Sequence, residues 1–319
     1  MKRRSALGDG RWRVGALPNR VSDPQWSASA TVRRVKICSM PQPLLIVDGD
    51  NLAHRAYHST PKSVVGVNGQ PINAIVGFAS MLHNVWQKEQ PRGIFVAWDT
   101  LGVDTYRSEL WPPYQTGRIF EKEIVQQLDL LPSVCEAFGL GVGKNAGFEA
   151  DDLMAAAAGQ EVATGGTAVI LTTDRDSYQL VSESVTILVP KKGARELDRI
   201  GPHEVVERFG VLPEQVPDFK ALSGDASDKI PGIRGIGPKA AASLLLRFGT
   251  LEDAIAAWDR PETDAELALR FREVVRMRPD RALVEVSTDW ASRFAPNWSA
   301  GAAALKAIGA NALAERLVR

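Results

Sequence analysis

The run Phe148-Glu149-Ala150-Asp151-Asp152-Leu153-Met154 sets three carboxylates in four positions just ahead of an alanine-rich stretch. At a helix start, offsets of two and three keep Glu149, Asp151 and Asp152 within one turn, close enough for their oxygens to converge on one point. A bound divalent cation would relieve the repulsion. Acids are also common in first turns, where free backbone N–H groups and the helix dipole favour negative charge. This run alone therefore leaves a capped helix and a metal site both open. More acids follow apolar runs: Asp48 after LLIV, Asp99 after IFVAW, and Asp174 with Asp176 after VILTT, while Asp225 and Asp228 precede a glycine-rich stretch. In a parallel α/β sheet the carboxyl ends of the strands share one edge, so residues distant in sequence meet in one crevice. Nine carboxylates aimed at one edge need metal to be tolerable.

The elements that must deliver these acids can be read in order. The apolar runs 44–47 and 93–98 read as buried strands, the first passing into a turn at Asp48-Gly49. Between them lies a helical pattern over 73–87, with Ile75, Phe78, Ala79, Leu82 and Trp86 on one face. Strand, helix, strand is the crossover unit of a parallel sheet. An amphipathic helix over 124–138 contains Pro132, a helix begins at Glu149, and strands are expected at 167–172 and at 185–189, where Pro190 marks an edge. The histidines, His203 among them, have no ligand spacing.

The polar connection 100–127 carries Tyr106, Arg107, Trp111, Tyr114, Arg118 and Lys122. Guanidinium groups interleaved with rings suit a single nucleic-acid strand, phosphate to one and base to the other. A solvated surface loop is the alternative. The second strong signal is 223–248: Ser223-Gly224-Asp225-Ala226-Ser227-Asp228, then Ile230-Pro231-Gly232-Ile233-Arg234-Gly235-Ile236-Gly237-Pro238-Lys239, then AAASLLLRF. Proline at a first helical position after glycine marks a helix start whose N–H groups are bare. A phosphate fits there, and Arg234 and Lys239 add charge, so the hairpin would grip a duplex backbone without reading its sequence. Short helices fill 251–319 and are expected to pack around this hairpin.

Composition narrows the class. The 319 residues are 45% hydrophobic and 24% charged, as in ordinary globular enzymes. Cys38 and Cys135 form neither a disulfide framework nor a metal motif, which fits a reducing compartment. No apolar run approaches the roughly 18 residues of a spanning helix, so no membrane partner is expected. Net charge is zero, yet residues 1–39 hold nine Lys/Arg against two Asp/Glu, leaving the remainder at minus seven. An acidic body holds nucleic acid only through local basic contacts and bound cations. The 1–39 segment lacks periodicity and reads as a disordered tail. It is a basic arm, an organelle presequence, or the product of a start placed upstream of Met40, the last being favoured by Met40-Pro41-Gln42-Pro43 standing directly before the first strand.

Taken together, VDGDNLAHRAYHS, FVAWDT, YRSELWPPYQTGR, GFEADDL, ILTTDRDSYQLV and ALSGDASDKIPGIRGIGPKAA resemble the bacterial 5′-nuclease family, the 5′–3′ exonuclease domain of DNA polymerase I and its flap-endonuclease relatives. The resemblance runs from about residue 44 to at least 286, and is to that domain as a free-standing protein. It implies a PIN-like α/β domain over 44–200 after an extension at 1–43, with a helical arch at about 100–127. A helical domain over 201–319 would carry a helix-three-turn-helix module at about 221–248. By motif position it assigns Asp48, Asp99, Glu149, Asp151 and Asp174 to a first metal site, and Asp152, Asp176, Asp225 and Asp228 to a second. Asp50 departs from the small residue usual there and is a candidate for an additional metal. Gln115 departs from the arch lysine, leaving Arg107 and Arg118 as the catalytic cations.

The resemblance further implies two or more Mg²⁺ or Mn²⁺ ions, and K⁺ in the hairpin held by Ser223 and the carbonyls near Ile233 and Ile236. Tyr114 would stack on a base, while Arg234, Gly235, Gly237 and Lys239 would hold DNA. The implied partner is branched, nicked or flapped duplex DNA, with RNA–DNA hybrid the nearer alternative and a decayed branched-DNA-binding protein the further one. A cytoplasmic, nucleoid-associated enzyme of replication and repair is expected.

Overall fold

The structure, a computed structural model, describes residues 42–100, 102–117, 120–279 and 294–319. The tail at 1–39 and Arg118 lie outside the described residues. One six-stranded sheet runs in the order β3-β2-β1-β4-β5-β6, formed by β1 (Leu44–Asp48), β2 (Gly93–Trp98), β3 (Gly141–Lys144), β4 (Ala168–Leu171), β5 (Val185–Lys191) and β6 (Glu196–Ile200). The first five pair in parallel and β6 closes the sheet antiparallel to β5. β1 and β2 are buried throughout because both faces are covered, which is why they read as continuous apolar runs. Alternate residues divide between the faces: Leu44 and Ile46 face one core, Leu45 and Val47 the other.

Several elements differ from the sequence reading. Asp48-Gly49 is not a turn; α1 (Gly49–Ser59) starts at once, with Asp48 as its N-cap accepting from the Asn51 N–H at 3.1 Å. This close departure from the strand requires glycine, since a Cβ on Gly49 would lie 2.5 Å from the Trp98 ring. Pro190 does not end an edge strand: it lies within β5 and opposite Leu197 of β6. β3 and β6 were not expected, the first being glycine-rich and the second polar.

The helices divide by face. α2 (Asn73–Glu89) and α4 (Lys122–Ala137, running through Pro132) join α1 on one side. α5 (Ala150–Ala163) covers the other with α7 (Val216–Ser223), α8 (Pro238–Phe248), α9 (Leu251–Ala257) and α10 (Glu262–Val275). Two short elements, α3 (Tyr106–Leu110) and α6 (Pro202–Phe209), lie between them in sequence. The last helices, α11 (Trp298–Ala307) and α12 (Asn311–Leu317), do not surround the hairpin. Ala302, Leu305, Leu313 and Leu317 join the α1/α2/α4 core, and Trp298 packs on Phe138 and Trp86. Among the described residues no helix is long and apolar enough to cross a membrane.

Candidate metal centre and nucleic-acid interface

Strands β2, β1 and β4 are neighbours, so their carboxyl ends deliver Asp99, Asp48 and Asp174 side by side. The helix start of α5 adds Glu149 and Asp151 from above, and Asp176 follows β4 in a short 3₁₀ turn. These acids, with Asp50 and Asp228, line one cleft of about 670 Å³. Backbone and hydroxyl donors fix several of them. Thr172 Oγ1 donates to Asp48 at 2.7 Å, the Ala150 N–H to Asp99 at 2.7 Å, and the Asp176 N–H to Asp174 at 2.9 Å. Asn51 ties the strand ends together by accepting from both the N–H and the hydroxyl of Thr173.

Electrostatics mark the cleft as a place for cations. Burial pushes Asp48 and Asp151 well above the usual carboxylate range, and Asp174 next to each pushes further in the same direction. Asp50 is pushed up to about 7 by burial and then by Asp99, whose N–H it accepts at 2.8 Å. A positive charge beside these groups would oppose that shift and favour their ionised form. At the hairpin side, ligand oxygens of Asp176, Asp225 and Asp228 all lie within 4.8 Å of one another. The oxygen-only donor set fits a hard divalent ion.

Three sequence expectations need correction. Asp152 is not part of the cleft: successive helical residues diverge by about 100°, so while Asp151 faces the acids, Asp152 is fully buried behind them. It accepts a bidentate pair from Arg107 at 2.6 and 2.9 Å, the Arg278 N–H at 2.8 Å and the Tyr106 hydroxyl. Its other contact is the Glu149 N–H at 3.3 Å, a carboxylate turned back on its own helix start.

Arg107 is accordingly not a free phosphate cation. It is 2% exposed, its Nε donates to the Val274 carbonyl at 3.0 Å, and Glu149 lies 3.6 Å away. Burial opposes its charge, but Glu149 and Asp152 more than restore it. Tyr114 does not offer a stacking face either; it is buried, and its hydroxyl donates to Glu149 at 2.9 Å. Tyr106, Arg107, Trp111 and Tyr114 thus tie this segment down on the protein, with Trp111 edge-on to Phe271 and donating to the Lys229 carbonyl at 2.9 Å.

Gln115, in a left-handed conformation, directs its amide into the cleft, donating to the Tyr114 oxygen at 2.7 Å and lying 3.3 Å from Glu149. Arg234, Gly235, Gly237 and Lys239 are all exposed at the start of α8, where no side chain caps the helix. Gly232 makes the hairpin possible: its φ is +68°, and a Cβ there would fall 2.4 Å from the Gly224 nitrogen. Of the potassium candidates, Ser223 is half-buried while Ile233 and Ile236 are buried, and the Ile233 carbonyl accepts the Ile236 N–H at 2.9 Å.

Sequence reasoning missed Lys220, whose Nζ contacts Asp176 and lies 2.6 Å from Asp225. A lone lysine in the apolar segment VPDFKALS, five residues ahead of Asp225, was the available signal.

Comparison with known proteins agrees with this architecture. A model described as "5'-3' exonuclease, N-terminal resolvase-like domain" matches residues 43–210, and one described as "5'-3' exonuclease, C-terminal SAM fold" matches 211–300. The chain belongs to the 5′-3′ exonuclease family. Within that family it is 38% identical over 254 residues to DNA polymerase I of Mycobacterium leprae, across 76% of this chain and 28% of the relative. It therefore spans about a quarter of the length of the curated relatives it matches. Two solved structures share the fold. T5 5′-exonuclease with bound zinc has a TM-score of 0.62 at 23% identity, covering 79% of this chain and 96% of that one. Human GEN1 in complex with Holliday junction DNA has a TM-score of 0.56 at 13% identity, covering 87% and 71%. The fold is thus the PIN-like one that the motifs implied.

Proposed function

We propose that the chain is a divalent-metal-dependent 5′ nuclease that hydrolyses phosphodiesters of DNA at branched, nicked or flapped duplexes, as a 5′–3′ exonuclease and 5′ flap endonuclease. The observation that carries this reading is the convergence of three adjacent strand-end acids with Glu149, Asp151 and the hairpin's Asp228 in one cleft. Asp48, Asp99, Glu149, Asp151 and Asp174 are the residues to hold one ion, and Asp176, Asp225 and Asp228 a second. Carboxylate-only ligation favours Mg²⁺ or Mn²⁺. Such ions supply an activated water and neutralise charge at phosphorus.

The chain's own groups then have separate duties. The bare start of α8, with Arg234, Gly235, Gly237 and Lys239, holds the duplex backbone, and K⁺ beside Ser223 and the Ile233 and Ile236 carbonyls would rigidify that hairpin. Gln115 reaches the cleft from the arch side, where the 5′ strand would enter. Thr172, Asn51 and the Asp99–Asp50 contact keep the acids aligned. Asp50 serves here by orienting the Asp99 backbone, and Arg118 is proposed as an arch cation. Action on branched DNA places the enzyme with the nucleoid.

The test uses labelled flap, gapped, nicked and RNA-primed duplexes with Mg²⁺ or Mn²⁺. Wild type is expected to cut the DNA strands to 5′-phosphate products, and Asp151→Asn with Asp174→Asn to cut none. Tight binding of branched DNA without cleavage at any metal concentration would overturn the enzymatic reading, and exclusive cleavage of the RNA strand would overturn the DNA substrate.

A further inference from the structure

Lys220 sits in α7 among buried Phe219, Ala221 and Leu222, and its side chain is only 9% exposed. A lysine stays charged at that depth only with partners of opposite sign. Its partners are Asp176 Oδ1 in direct contact and Asp225 Oδ2 at 2.6 Å. Both belong to the carboxylate triad that the second ion is proposed to use. The other oxygen of Asp225 is taken by Ser227, whose N–H donates at 2.9 Å and whose hydroxyl also donates. An ammonium therefore already occupies oxygens that a cation would need.

We propose that Lys220 is the resident counter-cation of the hairpin-side site, and that a divalent ion enters this site only by displacing its ammonium. The proposal rests on the two-ion reading given above. The site then has a built-in competitor, so its apparent affinity falls below what three close carboxylates would otherwise give. The displaced side chain has somewhere to go. Beside the triad runs a groove of about 1050 Å³, lined by Lys220 together with Arg175, Arg208, Lys239 and Ser243. It joins the acids to the start of α8, the path proposed for the duplex backbone. A phosphate in that groove would draw the ammonium away and so tighten the second ion. By reciprocity, the second ion would free Lys220 for the phosphate. Loading of metal and engagement of the strand become one coupled event.

The test counts Mn²⁺ bound to metal-stripped full-length protein, by the resonance signal of free Mn²⁺. Lys220→Met and Lys220→Gln should tighten the weaker class of sites by about tenfold, within the range usual for linked ligands, and leave the stronger class alone. Lys220→Arg, which keeps the charge, should match wild type. Equal or weaker binding of the weaker class in both neutral variants overturns the proposal. Asp225→Asn and Asp228→Asn separate the two levels: loss of the weaker class in both shows that the hairpin acids hold an ion whatever Lys220 does. Titration curves identical to wild type remove the two-ion reading and the proposal with it. A measurement on wild type alone covers the case of poorly folding variants. Acylation of Lys220, followed by mass spectrometry, should accelerate on saturation with Mg²⁺, and an unchanged or slower rate overturns the displacement.

Discussion

Replacing Arg107 by Met should unfold the protein far more readily than a change to a substrate-contacting arginine would. Asp152 has no exposure to solvent and loses both arms of its bidentate partner in this variant, keeping the Arg278 and Glu149 N–H groups and the Tyr106 hydroxyl. Breaking a buried pair by removing one member leaves an uncompensated charge and costs about 3–5 kcal/mol. The Val274 carbonyl also loses its donor, so the upper part of that range is expected. For a folded body of this size, about 1 kcal/mol moves the midpoint by about 2–4 °C, giving a fall of about 8–20 °C. Urea unfolding in EDTA measures it free of metal. Arg107→Met combined with Asp152→Asn should be no less stable than Arg107→Met alone, because the stranded charge is gone. If Arg107→Met kept wild-type stability and lost only cleavage rate, the guanidinium would be a substrate group and the buried-pair argument would be wrong.

Other outcomes follow from the same cleft. Asp151→Asn should lower the single-turnover rate at least about 100-fold while raising the metal-free melting temperature, since one member of a mutually repelling buried set is removed; a lower melting temperature would contradict the repulsion. Gln115→Lys should speed single-turnover cleavage, because Gln115 already reaches Glu149, and an unchanged or slower rate counts against its place at the arch. Asp48, Asp50 and Asp151 have folded pKa values above their unfolded ones, so their stabilising protons are present below about pH 4 and are lost as pH rises, for Asp50 through about 7. Metal-free thermal stability should therefore fall from pH 5 to 8, with Mg²⁺ raising it more at pH 8 than at pH 6; a rise with pH in EDTA would refute this.

The sheet's centre was legible because strands covered on both faces are apolar along their length, as in LLIV and GIFVAW. Asp48 and Asp99 were legible because they directly follow such runs. β3 and β6 were not, since GVGK offers a single branched residue between two glycines and ELDRI alternates weakly at a sheet edge. Asp48-Gly49 misled for a chemical reason: a residue pair that favours turns also favours helix caps, and only the close approach of Trp98 decides between them. The fate of Asp152 and Arg107 depended on tertiary partners, Arg278 and Val274, that are more than a hundred residues away. Local polarity marks a side chain as charged but not whether that charge is spent internally. Tyr114 failed for the same reason, because a ring suited to stacking is equally suited to filling a core.

Asp228 reaches the cleft from the turn closed by the Asp225–Ile230 bridge, six residues ahead of the exposed Arg234 and eleven ahead of Lys239. If the proposed function holds, grip and blade would be parts of one ruler: the span from the held backbone to the reacting phosphorus would be set by a few residues of polypeptide, whatever bases lie between. An enzyme built this way would measure its incision from the junction where a duplex begins, so shortening or lengthening the hairpin by a residue would shift the cut along the strand without altering any preference for sequence.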